Sequence, residues 1–195
     1  MPKVKVNDIT MNYESQGAGE PLVLIPFLAA DHACYAFQVA DYAKHFTCIS
    51  IDLRGAGETD KPAGTYSTEL FADDVAAFMQ AIGVEKAHVS GVSLGAATGM
   101  WLAAKYPQRV KSLSLHSGWT KSDPFLKAVV AGWQSIAKGL GSVPDGRPGH
   151  LHLVLHAGAL CGETRLYRAT RRFRAQPAAA AARRLHPPIE CGDGP

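Results

Sequence analysis

The chain has 195 residues, of which 47% are hydrophobic and 8% aromatic, and its formal net charge is +3. This composition predicts one globular domain with a sizeable core and excludes a chain that is disordered throughout. No apolar run reaches the roughly 18 residues that a membrane-spanning helix needs, so we expect no membrane partner. Residues 1–13 lack the apolar core of a signal peptide, and we therefore expect a cytoplasmic protein.

The composition changes abruptly near residue 145. Residues 1–145 contain ten Lys and two Arg, whereas residues 146–195 contain eight Arg and no Lys, together with nine Ala, six Gly and five Pro. All of these enriched residue types have GC-rich codons. One choice of codons for residues 155–176, read one base later, encodes FTPELYAARPDYIERLADFVR, which has apolar residues at helical spacing. We predict a folded core over 1–145, followed by a tail over 146–195 that is either disordered and basic or encoded in a shifted frame.

Strand-like and helix-like segments alternate through residues 1–145. This alternation predicts an α/β fold with a mainly parallel sheet and helices on both faces. The predicted strands are 3–6, 9–15, 21–26, 46–51, 86–92 and 110–115. The predicted helices are 34–45, a segment that includes 71–82 and is capped by Ser67, 94 to about 106, and 124–140. We expect the aromatic side chains of Tyr35, Phe37 and Trp133 to lie in the core.

The sequence GVSLG, residues 91–95, lies between a predicted strand and a predicted helix. In that setting G-x-S-x-G is typical of a nucleophile elbow, a tight turn that lifts the serine hydroxyl clear of the sheet. Side chains at positions 91 and 95 would collide in such a turn, which explains the two glycines. The alternative is that Ser93 merely caps the helix in a glycine-rich turn.

With this motif, residues 3 to about 145 resemble the α/β-hydrolase family. The resemblance rests on PLVLIPFLAADH at 21–32, DLRGAGET at 52–59 and the GVSLG elbow, in the expected order. The nearest likeness is to small bacterial carboxylesterases and 3-oxoadipate enol-lactonases. It implies a serine hydrolase that acts on a small-molecule ester or lactone and needs no metal or organic cofactor. The resemblance does not favour a dehalogenase, because Ser93 stands where those enzymes have an Asp nucleophile.

The resemblance also implies roles for individual residues. Ser93 is the nucleophile, and the backbone N–H of Leu94 is one donor of the oxyanion hole. Where the family usually has His-Gly, this chain has Pro26-Phe27, so the second donor is expected to be the N–H of Leu28, with Phe27 as the second choice.

The neighbouring residues have less direct roles. Asp52 and Arg54 are expected to be structural and to hold the loop that borders the site. Phe27, His32 and Trp119 are expected to line the pocket, although His32 and Trp119 also suit an ordinary structural role.

The chain departs from the family after the sixth strand. The acid and the general-base histidine of the family follow the nucleophile in that order, and no strand–loop pattern here carries them. The sheet is therefore predicted to be truncated after about the sixth strand, with residues from about 124 beginning a cap. The alternative function is a catalytically impaired fragment that lacks both groups.

The tail offers no clear replacement for the missing groups. Its histidines are His150, His152, His156 and His186. The first three, with Cys161, resemble zinc-ligand spacing, but one short window does not predict a metal site. The arginine-rich stretch 165–184 predicts nonspecific attraction to phosphates and not a specific nucleic-acid partner.

Overall fold

A computed structural model of the protein describes residues 1–140, with side chains through residue 136. The strands are β1 (Lys3–Val6), β2 (Ile9–Gln16), β3 (Glu20–Ile25), β4 (Phe46–Ile51), β5 (Ala87–Val92) and β6 (Val110–His116). The helices are α1 (Ala36–Tyr42), α2 (Thr68–Ala81), α3 (Leu94–Lys105) and α4 (Pro124–Leu140). Short 3-10 turns precede α1 and β6. No helix in this part of the chain is both long and apolar enough to cross a membrane.

The strands form one mixed sheet in the order β1-β2-β4-β3-β5-β6. β1 and β2 form an antiparallel hairpin, β2 pairs antiparallel with β4, and the remaining neighbours are parallel. The predicted mainly parallel α/β sheet is therefore confirmed, and β6 is the last strand that the structure describes. Because β4, β3 and β5 are adjacent and parallel, the loops that follow them meet at one edge of the sheet.

Both faces of the central strands are buried, as the continuous apolar runs predict. Val23 and Ile25 of β3 belong to a large cluster that includes α2 and α3, whereas Leu22 and Leu24 belong to a smaller cluster with Val39 of α1. Helices thus lie on both faces of the sheet. The predicted cap of α2 is also present, since the Ser67 side chain accepts a hydrogen bond from Leu70 N–H at 3.0 Å.

Three expectations need correction. The helix predicted over 34–45 is a 3-10 turn at His32–Tyr35 followed by α1, because the Asp31 side chain caps an earlier start. Phe37 is 91% exposed, since Val39 is the residue of α1 that packs on the sheet and Phe37 points away from it. Trp133 is 51% exposed, because α4 packs on the described structure through Leu126 and Val130 instead.

The boundary near residue 145 and the character of residues 146–195 remain predictions. The tail and its four histidines lie outside the described residues. The helix expected to begin a cap is present as α4.

Candidate active site

Ser93 lies in the turn between β5 and α3, at the carboxyl edge of the sheet. Its backbone has φ 53° and ψ −111°, a conformation that is strained for any residue with a side chain. Such strain at a strand-to-helix turn is the backbone geometry expected of a nucleophile elbow. The Ser93 side chain is only partly buried.

The two glycines of the motif make this turn sterically possible. A Cβ atom on Gly91 would overlap with the backbone carbonyl of Gly95, and a Cβ atom on Gly95 would overlap with the carbonyl of Ile25. Both clashes are with backbone atoms, which cannot move without displacing a strand or a helix. The same overlap shows that the first turn of α3 lies directly against the end of β3.

The turn is anchored on the neighbouring strand. The backbone N–H of Ser93 donates to the carbonyl oxygen of His116, at the end of β6, at 2.8 Å. The Ser93 side chain makes no capping hydrogen bond to α3. The alternative prediction, that the Ser93 side chain caps α3, is therefore wrong, because the Ser93 hydroxyl makes no hydrogen bond to the first turn of the helix.

The first expected oxyanion donor, Leu94, is the first residue of α3. The first N–H groups of a helix have no acceptor within the helix, and they carry the positive end of its dipole. An oxyanion that forms on a group attached to Ser93 would lie beside this helix start. Leu94 itself is held firmly, because its side chain is 2% exposed in the main core.

The second expected donor, Leu28, lies in the loop after β3. That loop begins beside the elbow, since Ile25 pairs with Gly91 across the two strands. Inside it, Ala30 N–H donates to the carbonyl oxygen of Phe27 at 3.2 Å, and Ala29 has φ 62°. The loop is thus a defined turn at the same edge of the sheet as Ser93.

Of the three expected pocket residues, Phe27 lies within this loop and Trp119 lies beside it. Trp119 and Leu28 both pack against Val130 of α4, so the beginning of the expected cap contacts the loop. Phe27 is 44% exposed, which leaves its ring available to contact a bound group. The structure therefore brings Leu28 and Trp119 into one apolar cluster.

The third expected pocket residue, His32, is bound to Asp52. One carboxylate oxygen of Asp52 accepts from the backbone N–H of His32 at 2.7 Å and lies 2.8 Å from its Nδ1 atom. The other oxygen accepts from the Asn12 side chain at 2.9 Å and from Glu58 N–H at 2.8 Å. Asp52 is fully buried, and Gly57 is required beside it because a Cβ there would overlap with the carboxylate.

Arg54 is structural in the same segment. Its guanidinium group bonds to Asp74 at 2.7 Å and to Asp8 at 2.6 Å, and only 4% of its side chain is exposed. These carboxylates raise the pKa of Arg54 above its ordinary value. A cavity of about 570 Å³ beside Arg54 is formed by α2, the β1–β2 turn and residues 106–109, and Ser93 is not part of its lining.

The rings of His88 and His116 and the Cys34 thiol are hydrogen-bonded or unreactive. Within residues 1–136, the ring of His116 bonds to Ser114 and the ring of His88 bonds to Glu20 and Ser112. No histidine ring in this part of the chain is hydrogen-bonded to the Ser93 hydroxyl. Burial, with Asp31 nearby, raises the pKa of Cys34 to about 11, so that thiol stays protonated at neutral pH.

Comparison with known proteins identifies the family to which this fold belongs. A family model described as the α/β-hydrolase fold matches residues 20–172. The chain belongs to this family. The matched segment contains the loop after β3, the 52–59 motif and the elbow, which are the features on which the resemblance rests.

Two curated relatives illustrate the α/β-hydrolases that this chain is similar to. It is 35% identical over 127 residues to a putative carbamate hydrolase, RutD, of Azorhizobium caulinodans, covering 65% of this chain and 48% of that protein. It is 29% identical over 104 residues to the 3-oxoadipate enol-lactonase 2 of Acinetobacter baylyi, covering 52% of this chain and 39% of that protein. This chain therefore spans about half or less of their length.

Solved structures agree with the fold. A thermophilic esterase from Thermogutta terrifontis matches with a TM-score of 0.63 and 26% identity, over 71% of this chain and 52% of the esterase. The enol-lactonase of Burkholderia xenovorans matches with a TM-score of 0.63 and 25% identity, over 87% of this chain and 71% of the lactonase.

Sequence reasoning missed two contacts in this α/β-hydrolase. It expected His32 at the pocket wall, but not that the carbonyl of His116 anchors Ser93 or that His32 binds Asp52. The first contact is made by the backbone and leaves no signal in the sequence. The second joins residues 20 positions apart in the chain, and its only signal is an acidic residue directly after a buried strand.

Proposed function

We propose that this chain carries the nucleophile and the oxyanion hole of a serine hydrolase that acts on carboxylic esters or lactones. The main support is the conformation of Ser93, whose positive φ is tolerated only because Gly91 and Gly95 leave room for the turn. The similarity to an enol-lactonase and to an esterase supports the choice of substrate class.

In the proposed reaction, the Ser93 hydroxyl oxygen attacks the carbonyl carbon of a small-molecule substrate. The negative charge that develops on the carbonyl oxygen is stabilised by the N–H groups of Leu94 and Leu28. Expulsion of the alcohol leaves an ester of Ser93, which water then hydrolyses to release the acid. This sequence of steps requires no metal and no organic cofactor.

The reaction also needs a base, because a serine hydroxyl is a weak nucleophile at its ordinary pKa. A histidine would accept the Ser93 proton and return it to the leaving alcohol. Family chain order puts that histidine after Ser93, and the four tail histidines follow it in the sequence.

A catalytically impaired chain is the second candidate. It is favoured by one observation, that no histidine ring of residues 1–136 is hydrogen-bonded to the Ser93 hydroxyl. In triad enzymes, loss of the histidine lowers turnover by about 10⁶-fold. Under this candidate, Ser93 would sit in a formed oxyanion hole and react only slowly.

Ester hydrolysis separates these candidates. We would measure release of p-nitrophenol from p-nitrophenyl acetate by the full chain and by the Ser93→Ala variant. A turnover above about 1 s⁻¹, within the ordinary enzyme range, that depends on Ser93 supports the competent hydrolase. A much slower rate that still depends on Ser93 supports the impaired chain, whereas equal rates for the two proteins contradict the assignment of Ser93.

Substrate class needs a matched pair of substrates. A p-nitrophenyl ester and a p-nitrophenyl N-alkylcarbamate share the same leaving group, so their relative rates report the acyl group alone. We expect the ester to react faster. Faster reaction of the carbamate would instead place this chain with the function named for its RutD relative.

A further inference from the structure

His32 and Asp52 form a pair that the proposed reaction leaves without a role. Nδ1 and the backbone N–H of His32 both meet the same Asp52 oxygen, at 2.8 Å and 2.7 Å. Because Asp52 accepts two further hydrogen bonds, from Asn12 and Glu58, Nδ1 of His32 is the donor in this contact. The His32 side chain is 11% exposed and that of Asp52 is fully buried, so water competes little for the bond.

The pair closes one end of the loop that carries Leu28. The other end leaves β3 at Pro26, where the start of α3 packs against the carbonyl groups of residues 25 and 26. Between these two anchors, Ala30 N–H donates to the carbonyl oxygen of Phe27, and the Leu28 side chain packs against Val130. The position of the Leu28 N–H group therefore depends on where His32 is held as well as on this packing.

Adjacent strands place the three groups in order along the edge of the sheet. Asp52 follows β4, His32 lies in the loop after β3, and Ser93 follows β5, and these strands are neighbours. Asp52 is the fixed point of this arrangement, since four hydrogen bonds and complete burial leave its carboxylate no freedom to move.

We propose that His32 is a positioning residue of the oxyanion hole. It fixes the loop 26–32 on Asp52 and thereby aims the Leu28 N–H at the oxygen that becomes negative on Ser93 attack. This inference rests on the proposed function. In this proposal, the hydrogen bonds from Nδ1 and the backbone N–H of His32 to Asp52 hold the loop in place, and Nε2 has no role.

Substitutions at His32 distinguish the contribution of Nδ1 from that of Nε2. In His32→Asn the side-chain amide nitrogen takes the place of Nδ1, so the bond to Asp52 is kept and Nε2 is lost. In His32→Gln the amide nitrogen takes the place of Nε2, and the bond to Asp52 is lost. His32→Ala removes both. His88→Ala is the matched control, because His88 also bonds to a carboxylate but lies at the opposite edge of the sheet.

The measurement is the reaction of Ser93 with a fluorophosphonate in the full chain, followed over time by mass spectrometry. Kinetics at several probe concentrations separate the maximal rate of modification from probe binding. Because a misplacement of about 1 Å costs about 10²-fold, we expect a maximal rate about 10²-fold lower in His32→Ala and His32→Gln, with little change in probe binding. We expect His32→Asn and His88→Ala to react at nearly the native rate.

Each alternative has its own pattern. An unchanged maximal rate in His32→Ala, with Ser93 modified, overturns the positioning role alone. Loss of rate in His32→Asn as large as in His32→Gln overturns it in favour of a direct role for Nε2. Absence of Ser93 modification in the native chain overturns the proposed function and this inference together. If His32→Ala fails to fold, the comparison of Asn with Gln still decides the question.

Discussion

Two histidine–carboxylate pairs of the same length lie at opposite edges of the sheet. His32 and Asp52 are 2.8 Å apart at the carboxyl edge, and His88 and Glu20 are 2.8 Å apart at the amino edge. The side chain of Asp52 is fully buried, whereas 61% of that of Glu20 is exposed. The comparison teaches that burial and additional hydrogen bonds, and not the distance between the two groups, distinguish an anchor from a surface contact.

The amino edge even contains the side-chain types of a serine triad. The ring of His88 lies 2.7 Å from Ser112 through Nδ1 and 2.8 Å from Glu20 through Nε2. Ser112, however, lies within β6, directly after a shift in the β5–β6 register, and it is away from any helix start. At the carboxyl edge, Ser93 has a strained backbone and the N-terminus of α3 beside it. We therefore predict that Ser93 is the reactive serine, because the backbone N–H groups beside it stabilise the negative charge that develops in the reaction.

The largest expected effect is the loss of the buried anchor. Asp52→Ala would leave the Asn12 side chain and the N–H groups of His32 and Glu58 without their acceptor inside the protein. We expect the free energy of unfolding to fall by about 3 to 5 kcal/mol, as measured by urea denaturation. A loss no larger than that caused by Glu20→Ala would contradict the distinction between the two edges.

A smaller loss is expected from Gly95→Ala. The added methyl group would overlap with the carbonyl of Ile25, so the start of α3 and the end of β3 must separate. We expect a loss of about 1 to 3 kcal/mol in the free energy of unfolding, together with loss of Ser93 reactivity.

The matched control for that substitution is Gly132→Ala in α4, where no atom lies within 4 Å of the new Cβ. It should stabilise the chain by about 0.5 to 1 kcal/mol, because Ala favours a helix over Gly. Equal stabilities of the two variants would show that the elbow is not as tight as described.

The smallest effect is expected at the amino edge. Hydrogen bonds from Lys111 and His88 lower the pKa of Glu20 from 4.5 to about 2. The folded state therefore binds this proton less readily than the unfolded chain. The contribution of Glu20 to stability is complete above pH 4.5 and is lost as the pH falls towards 2.

Urea denaturation of the native chain and of Glu20→Gln over this pH range tests the contribution. The native chain should be slightly more stable at pH 6, and the difference should shrink below pH 4.5 and in high salt, since the pair is exposed. If the stability difference between the native chain and Glu20→Gln grew as the pH fell, it would contradict the lowered pKa of Glu20 in the folded state.

The local features of the fold could be predicted from the sequence. The elbow was recognisable because its turn excludes side chains at two fixed positions, and the Ser67 cap because a serine preceded an apolar helical repeat. The central strands were recognisable because burial on both faces leaves no polar alternation. Each of these signals lies within a few consecutive residues.

The remaining features depend on contacts between distant segments. Phe37 and Trp133 are of residue types that are usually buried. Their exposure depends on which face of α1 meets the sheet and on which face of α4 meets Leu28 and Trp119. The contact of His32 with Asp52 requires that β3 and β4 be neighbours, which no short window of sequence specifies. For the same reason the pairing of acid, base and nucleophile cannot be deduced from residue types alone.

The most direct test of the central claim is the site of covalent modification by a fluorophosphonate. Tryptic cleavage at lysine gives a peptide of residues 87–105, which contains Ser90 and Ser93, and a peptide that begins at Ser112. Fragmentation of each peptide identifies the modified serine. We predict modification of Ser93 in the native chain and none in Ser93→Ala. Modification of Ser112 in place of Ser93 would contradict the account.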